Sequence, residues 1–305
     1  MVYVGSVRWI VSLCLVACVA CGACGRSAPS PPPSTAPTKP NPLQPAPLPG
    51  PDAPILPSHR VYPGLAEALL ETVPGDARVI GVGELHARVD RQPAQTSLGA
   101  FTAALPRFAD RVSDLVIETW IVDPKCGKTA TEATKRVETT VKRPEATKSE
   151  IAVLADTARA AKIQPHAMTL SCKDYEAVAP KGGNVDAEAM LTLTTRELTR
   201  IATSAVAFRD KQPEHRPWIV LYGGALHNDR FPDPTLAEWS YAPAVDKATN
   251  NHLVEIDIIV PELAEADEAS QKQAWFPLVA DAKQVTVWER GERSFVIILP
   301  RSAAR

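Results

Sequence analysis

A glutamate and a histidine lie close together in the sequence Gly-Val-Gly-Glu-Leu-His at 81–86, directly after the apolar residues Val79 and Ile80. Side chains alternate along an extended segment, so Glu84 and His86 project to the same side. The glycines beside them allow another backbone or a ligand to approach closely. A carboxylate and an imidazole at the C-terminal end of a strand suit a metal-ligand pair or an acid/base pair.

The same order of an apolar run, glycines and a histidine recurs in Tyr-Gly-Gly-Ala-Leu-His at 222–227. A glycine-led turn there places His227 at the mouth of a parallel sheet, where ligands of open α/β folds bind. A third candidate is Glu118, which ends the apolar run 115–117 and carries a charge that is costly unless it is paired or ligating. Each group alone is typical of a solvated surface residue, but together the three predicted strand exits indicate a shared site.

The alternation of apolar runs and helical patterns predicts an α/β fold, with a mostly parallel central sheet flanked by helices and a C-terminal β-hairpin. The pattern predicts helices at 65–73, 95–108, 149–162 and 186–208. It predicts strands at 78–83, 114–118, 163–170, 217–222, 253–260, 285–288 and 294–299, and a hairpin turn at 289–293. The polar segment 125–148 lacks apolar periodicity, and we expect an exposed insertion there.

Residues 1–24 are typical of a secretory signal of the lipoprotein type. Arg8 supplies a positive charge ahead of a short apolar run, which has about half the length that a membrane-spanning helix needs. The sequence Leu-Val-Ala-Cys that ends at Cys18 resembles a lipobox, which makes Cys18 the predicted site of acylation. Cys21 and Cys24 also follow small residues and are alternatives. An ordinary cleaved signal that is rich in cysteine is the other interpretation.

The rest of the chain divides into a tether at 25–58 and a single α/β domain at 59–305. The tether contains much of the chain's total of 29 prolines, so we expect an extended spacer without a core. Acyl chains would hold the protein at a membrane surface, and Val19 after Cys18 favours the bacterial outer membrane over other parts of the cell envelope. With a formal net charge of −2 and no basic run, nucleic acid is not expected as a partner.

Two cysteines, Cys126 and Cys172, lie within the predicted domain. In an oxidising compartment, a lone pair of this kind most simply forms one disulfide. Closing a loop of that length would stabilise the fold by about 4 kcal/mol if the effect is chain entropy. The alternative is two separate buried thiols.

The order of strand-Gly-Glu-x-His, strand-Glu and strand-Gly-x-x-His resembles a superfamily that includes the ChaN-like haem-uptake lipoproteins, the erythromycin esterases, the TraB/PrgY proteins and the Tiki proteases. Residues 83–86 match the first motif in its ChaN-like form, Glu118 matches the central carboxylate, and residues 224–227 match the closing motif. The resemblance extends over 78–228. A second acidic element of the ChaN-like proteins is not clear here, with Asp90 the nearest candidate. The erythromycin esterases space their first glutamate and histidine one residue further apart.

The resemblance implies an extracytoplasmic hydrolase of the peptidase or esterase type that acts on a peptide or a small molecule. A divalent metal could activate the attacking water, or a histidine could act as general base without a metal. The residues proposed for catalysis, and for holding the metal, are Glu84, His86, Glu118 and His227. Two alternatives stay open: an inactive surface protein, and a protein that binds haem or another small ligand through an imidazole, Tyr222 or Tyr241. No Gly-x-Ser-x-Gly elbow and no His-Glu-x-x-His motif occurs in the sequence.

The other histidines have simpler interpretations. His59 and His215 are expected to be exposed and inert, and His252 is expected at the end of the domain opposite the site. His166 lies inside a predicted strand and is a reserve candidate for the site.

Overall fold

A computed structural model of the chain describes residues 56–212, 214–280 and 282–302. The predicted signal segment 1–24, with Cys18, Cys21 and Cys24, lies outside these residues, as does nearly all of the predicted tether. Within the described residues, no helix is long and apolar enough to cross a membrane. Residues 54–305 form one compact unit, which contains all the strand pairings, the helices on both faces of the sheet and the disulfide described below.

The strands of the described residues form one eight-stranded sheet. They are β1 (Arg60–Tyr62), β2 (Val79–Glu84), β3 (Val112–Ile121), β4 (Gln164–Thr169), β5 (Trp218–Gly224), β6 (Leu253–Ile259), β7 (Val285–Gly291) and β8 (Ser294–Ile298). Their order in the sheet is β1-β7-β8-β6-β2-β5-β3-β4. All neighbours from β8 to β4 are parallel, whereas β7 is antiparallel to both β1 and β8. The predicted α/β fold with a mostly parallel sheet and a C-terminal β-hairpin is confirmed.

Helices cover both faces of this sheet. They are α1 (Leu65–Thr72), α2 (Ser97–Ala104), α3 (Gly127–Thr140), α4 (Ala146–Ala160), α5 (Cys172–Val178), α6 (Ala187–Arg209), α7 (Ala225–Asn228), α8 (Ala242–Ala248), α9 (Pro261–Glu265) and α10 (Glu268–Gln271). Apolar residues of α1, α2 and α4 form one core with Ile80 and Val82 of β2. Those of α3, α5, α6 and α8 form another with Val79, on the opposite face of the same strand. The alternation of side chains along β2 therefore supplies both cores.

The segment 125–148 is not the exposed insertion that its composition predicts. It forms α3 and the beginning of α4, and Ala130, Ala133 and Val137 of α3 are buried. These three residues are spaced three and four positions apart, so they lie on one face of the helix. Their side chains are small, which explains why the apolar pattern is faint in the sequence. The residues between them are polar because they lie on the outer side of the helix.

Cys126 and Cys172 form the predicted disulfide, with a Cα–Cα distance of 5.2 Å. The bond joins the residue before α3 to the first residue of α5. A second connection comes from Arg136 of α3, whose guanidinium donates to the carbonyl oxygens of Ala179 and Pro180 at 3.0 and 2.9 Å. Both links attach α3 to the segment around α5, so the position of this helix depends on residues distant in sequence.

A buried charge cluster joins β3, β4 and the end of α6. The Asp114 side chain is 4% exposed, and it accepts hydrogen bonds from Arg209 Nε at 2.6 Å and Nη2 at 3.1 Å. His166 Nε2 lies 2.8 Å from the same carboxylate. Burial raises the pKa of Asp114, but the hydrogen bonds with His166 and Arg209 outweigh it and hold this pKa well below its usual range. His166, the reserve candidate for the site, therefore has a structural partner.

Asp114→Asn should destabilise the protein by about 3 kcal/mol or more at pH 7, because Arg209 would be left without its buried counter-charge. Urea unfolding monitored by circular dichroism measures this. Because the pKa of Asp114 is lower in the folded protein than the unfolded value of about 3.9, the carboxylate stabilises the fold at pH values above about 3.9. The difference in free energy of unfolding between wild type and variant should therefore shrink as the pH falls below that value. The control is Asp156→Asn, which removes an exposed pair with Arg159 and should change stability by less than about 0.5 kcal/mol. A loss below about 1 kcal/mol for Asp114→Asn would contradict the assignment.

Replacing both Cys126 and Cys172 by alanine should lower the free energy of unfolding by about 2–4 kcal/mol, because a loop with a sequence separation of 46 is then no longer closed. Urea unfolding without reductant measures the change. Wild-type protein in a phosphine reductant is the matched comparison and should lose a similar amount. Equal stability of the oxidised wild type and the double variant would show that the bond does not stabilise the fold.

Candidate active site

The three predicted motifs end at the same edge of the sheet. Glu84 is the last residue of β2 and Gly224 the last of β5, and the two are paired in register. β3, which carries Glu118, lies on the other side of β5. Because all three strands are parallel, their C-terminal ends meet at one edge, and the side chains that follow them converge there.

Two glycines at the end of β5 make this convergence possible. A Cβ at Gly223 would lie 2.9 Å from Cβ of Glu118 and would overlap its carboxylate. A Cβ at Gly224 would lie 2.9 Å from Nε2 of His86. Real Cβ atoms essentially never come so close to another heavy atom, so the Gly-Gly pair is required for Glu118 and His86 to approach across β5.

His86 lies between two carboxylates. Its Nδ1 is 2.9 Å from Oε1 of Glu84, and its Nε2 is 3.7 Å from Oε1 of Glu118. The second oxygen of each acid has a donor from β5: the Tyr222 hydroxyl donates to Oε2 of Glu84 at 2.5 Å, and the Gly224 amide donates to Oε2 of Glu118 at 2.6 Å. Nδ1 of His86 is therefore hydrogen-bonded to Glu84, whereas Nε2 makes a longer ion pair with Glu118.

The protonation states of this cluster follow from its charges. Desolvation lowers the pKa of His86, but Glu118 and Glu84 outweigh it and raise this pKa from 6.5 to about 9. The His86 side chain is 38% exposed, so water screens part of this attraction without removing it. Burial raises the pKa of Glu118, but the nearby imidazoles of His227 and His86 outweigh it and hold this pKa well below its usual range. At neutral pH, His86 is an imidazolium beside an ionised Glu118.

His227 has a different environment. It lies on α7 directly after β5 and is 4% exposed. Its Nδ1 is 2.9 Å from the carbonyl oxygen of Trp239 and 3.0 Å from Oγ1 of Thr195, and the Thr195 hydroxyl itself donates to that carbonyl at 2.7 Å. A carbonyl oxygen can only accept, so Nδ1 carries the proton. When the ring is neutral, its lone pair is on Nε2, which has no hydrogen-bond partner among the described residues.

A cavity of about 490 Å³ lies over these residues, and both imidazoles line it. Its volume is in the range of small-molecule sites. Most of its wall is apolar and comes from β3, β4 and the helices α3 and α6, which form a roof. The main apolar side chains are Trp120, Val137, Val141, Met168, Met190 and Leu191. The four predicted site residues and Arg143 provide much of its polar lining.

A larger groove, of about 1100 Å³, lies at the amino-terminal edge of the sheet, far from the predicted motifs. Two of its arginines have structural partners: Arg209 is paired with Asp114, and Arg216 donates to the carbonyl oxygens of Ala109 and Val112. We therefore assign the candidate site to the smaller cavity, where the groups suited to chemistry lie.

The arrangement does not fit a metal ion held by Glu84, His86, Glu118 and His227. Both oxygens of Glu84, both nitrogens of His86 and Oε2 of Glu118 face protein groups, which leaves Oε1 of Glu118 and Nε2 of His227 with the fewest contacts. A catalytic zinc has three protein ligands. No set of three or more His, Cys, Asp or Glu side chains in the described part of the chain is arranged to hold a metal. The metal stays a prediction, and no step below depends on it.

The tyrosines predicted as alternative haem ligands do not line this cavity. The Tyr222 hydroxyl is bonded to Glu84, and the Tyr241 hydroxyl lies beside Gly81 beneath the first motif. His252 lies before β6, at the amino-terminal edge, and its Nδ1 is 2.7 Å from the carbonyl oxygen of Thr249. His59 and His215 are exposed, and Asp90 is paired with Lys142 at the surface.

Two contributors to the site, Thr195 and Arg143, were not identified from the sequence, and Tyr222 was considered only as a haem ligand. Thr195 lies on the predicted helix 186–208, and polar residues at buried positions of an apolar helix face are the signal that could have indicated it. Arg143 gave no signal because it lies in the polar segment 125–148. Tyr222 adjoins the Gly-Gly motif, but its hydrogen bond to Glu84 depends on the pairing of β2 with β5.

Comparison with known proteins gives little guidance. No family model matches the chain, and no curated protein matches it. Among solved structures, the chain is similar to the type III effector HopBA1, with 13% sequence identity and a TM-score of 0.39. The alignment covers 81% of this chain and 100% of the effector chain. A likeness this low carries no argument about function, so the site is interpreted from its own geometry.

In an NMR pH titration of ring-labelled histidine, the His86 midpoint should lie well above 6.5, toward 9, because two carboxylates stabilise the imidazolium. Glu118→Gln should lower it by about one unit or more. The His86 pair should stabilise the fold fully below the unfolded pKa of about 6.5, and this contribution should disappear as the pH rises through about 9. His252 at the opposite edge is the internal control and should not shift in the variant. A wild-type midpoint at or below 6.5 would rule out the imidazolium.

Proposed function

We propose that this protein is a lipid-anchored, extracytoplasmic hydrolase that cleaves an ester or amide bond at the site formed by Glu84, His86, Glu118 and His227. One observation carries the proposal. Two imidazoles line the same cavity in different surroundings: His86 lies between two carboxylates, and His227 is oriented by a carbonyl oxygen and has an unengaged nitrogen. Two titratable groups in different surroundings at one cavity are typical of acid/base sites.

In this proposal, His227 is the general base. Its Nε2 accepts a proton from a water molecule as the water oxygen attacks the carbonyl carbon. The imidazolium that results is stabilised through Nδ1–H by the carbonyl oxygen of Trp239 and by the Thr195 hydroxyl. In other hydrolases a carboxylate orients the histidine and fixes its tautomer. Here the carbonyl oxygen of Trp239 has that role, so Nε2 is the nitrogen that reacts.

His86 is the electrophile and general acid. Its Nε2–H makes the looser of its two contacts, 3.7 Å to Glu118, so this proton is the one available to the substrate. It stabilises negative charge on the carbonyl oxygen and then passes to the leaving oxygen or nitrogen, which breaks the bond. Glu84 and Glu118 act as positioning residues that keep His86 protonated. The products are a carboxylic acid and an alcohol or amine, and proton exchange with solvent then returns His227 to its neutral form and His86 to its protonated form.

The resemblance of motif order to the superfamily described above supports the same class of reaction, and the proposed lipid anchor places it at the cell envelope. The second candidate is a protein that binds a small ligand without chemistry. The mostly apolar wall of the cavity is the observation that supports this candidate, because apolar walls are typical of sites that bind small ligands.

The test is a screen of the purified protein with chromogenic esters and aryl amides, followed by variants. His227→Ala and Glu118→Gln should each lower kcat/KM by about 10²–10⁴-fold, because each removes or misorients a proton-transfer group. His215→Ala, which removes an exposed histidine, should leave kcat/KM unchanged. Dialysis against a chelator should also leave it unchanged. Activity retained in His227→Ala would exclude the proposed base, and activity lost on chelation but restored by zinc would replace this scheme with the metal-dependent one.

A further inference from the structure

The wall of the cavity is chemically divided. Its polar end, at the edge of the sheet, holds the four site residues. The remainder is lined by apolar side chains from different elements: Val137 from α3, Trp120 and Met168 from the sheet, and Met190 and Leu191 from α6. Methionine side chains are flexible and adapt to the shape of an apolar group. The proposed hydrolytic groups are thus at one end of a space whose walls are mostly apolar.

The lining mixes acidic and basic side chains. Glu84, Glu118 and Glu138 are its carboxylates, Arg88 and Arg143 are its arginines, and His86 lies between two of the carboxylates. Glu138 and Arg88 have partners outside the cavity, in Lys148 and Asp90. Because acidic and basic side chains lie together in this lining, a phosphate, a carboxylate or an ammonium group would meet a like charge as well as an opposite one. An uncharged ligand suits this lining best.

We propose that the substrate is an uncharged amphiphile: an ester or amide whose carbonyl lies at the sheet edge and whose apolar acyl group occupies the space under α3 and α6. This inference rests on the proposed hydrolytic function and adds the substrate class. The acyl group buries its surface against Trp120, Met190 and Leu191, and each methylene buried this way contributes to binding. A short acyl group would leave part of the apolar wall uncovered and would therefore bind more weakly.

The experiment uses residues 54–305, the compact unit with the sheet, both cores and the disulfide, exported so that the disulfide forms. kcat/KM is measured for p-nitrophenyl esters from acetate to decanoate. It should rise about fourfold per methylene over the first several members of the series. Met190→Trp and Leu191→Trp, which fill the apolar end, should remove this dependence on chain length. Phe208→Trp, an exposed position on the same helix, is the matched control and should retain it.

A binding measurement separates this inference from the proposed reaction. N-phenyl-1-naphthylamine is an uncharged apolar fluorophore that cannot be hydrolysed at an acyl bond, and anilinonaphthalene sulfonate is its anionic counterpart. The uncharged probe should bind to wild type and His227→Ala alike, more tightly than the anionic one, and weakly to the two filled variants. Circular dichroism melting checks that those variants are folded.

Each failure has a distinct pattern. Hydrolysis that favours acetate, with no binding of the uncharged probe, would overturn the substrate class and leave the hydrolase proposal intact. Tighter binding of the anionic probe would overturn the uncharged ligand. Binding of the uncharged probe that both filling variants abolish, with no ester or amide hydrolysed, would support an apolar ligand and overturn the hydrolytic function.

Discussion

The candidate site depends on one arrangement, a histidine held between two carboxylates at the edge of a parallel sheet. Glu84 and Glu118 are on strands separated by β5, and both reach His86 because β5 ends in two glycines. A side chain at Gly223 would occupy the space of the Glu118 carboxylate. Helices packed on both faces of the sheet hold the C-terminal ends of the three parallel strands in place, and these ends are close enough for the cluster to form.

Removing two carboxylates from water is costly unless other groups replace the lost hydrogen bonds. The central strand supplies them. The Tyr222 hydroxyl donates to Glu84, and the Gly224 amide donates to Glu118. Burial and the charge of Glu84 raise the pKa of Tyr222 well above its ordinary value, so its hydroxyl stays a donor. β5 therefore both separates the two acids and donates a hydrogen bond to each of them, on either side of one imidazole.

The sheet and the convergence of the four candidate residues could be predicted because their signals are local: apolar runs, glycines and the residues that follow them. The role of α3 could not, because its buried face consists of Ala130, Ala133 and Val137, too small to give a clear pattern, and its position depends on distant partners. The contact of Thr195 with His227 joins elements 32 residues apart. The sequence also indicates which residue types converge, but not which of their atoms already have hydrogen-bond partners. For this reason, residues that hold a metal ion and residues that transfer protons cannot be told apart from the sequence.

Helix α3, whose apolar pattern is faint in the sequence, also relates the candidate site to the compartment predicted for the protein. α3 roofs the cavity through Val137, and the disulfide at Cys126 together with Arg136 holds the helix in place. Disulfides persist in oxidising compartments and are rare in the cytosol. A secretory signal would deliver the chain to the kind of environment in which this roof is covalently attached. In the proposed compartment, the disulfide would hold this part of the cavity wall in place before a ligand enters, and a wall fixed beforehand lowers the ordering cost of binding.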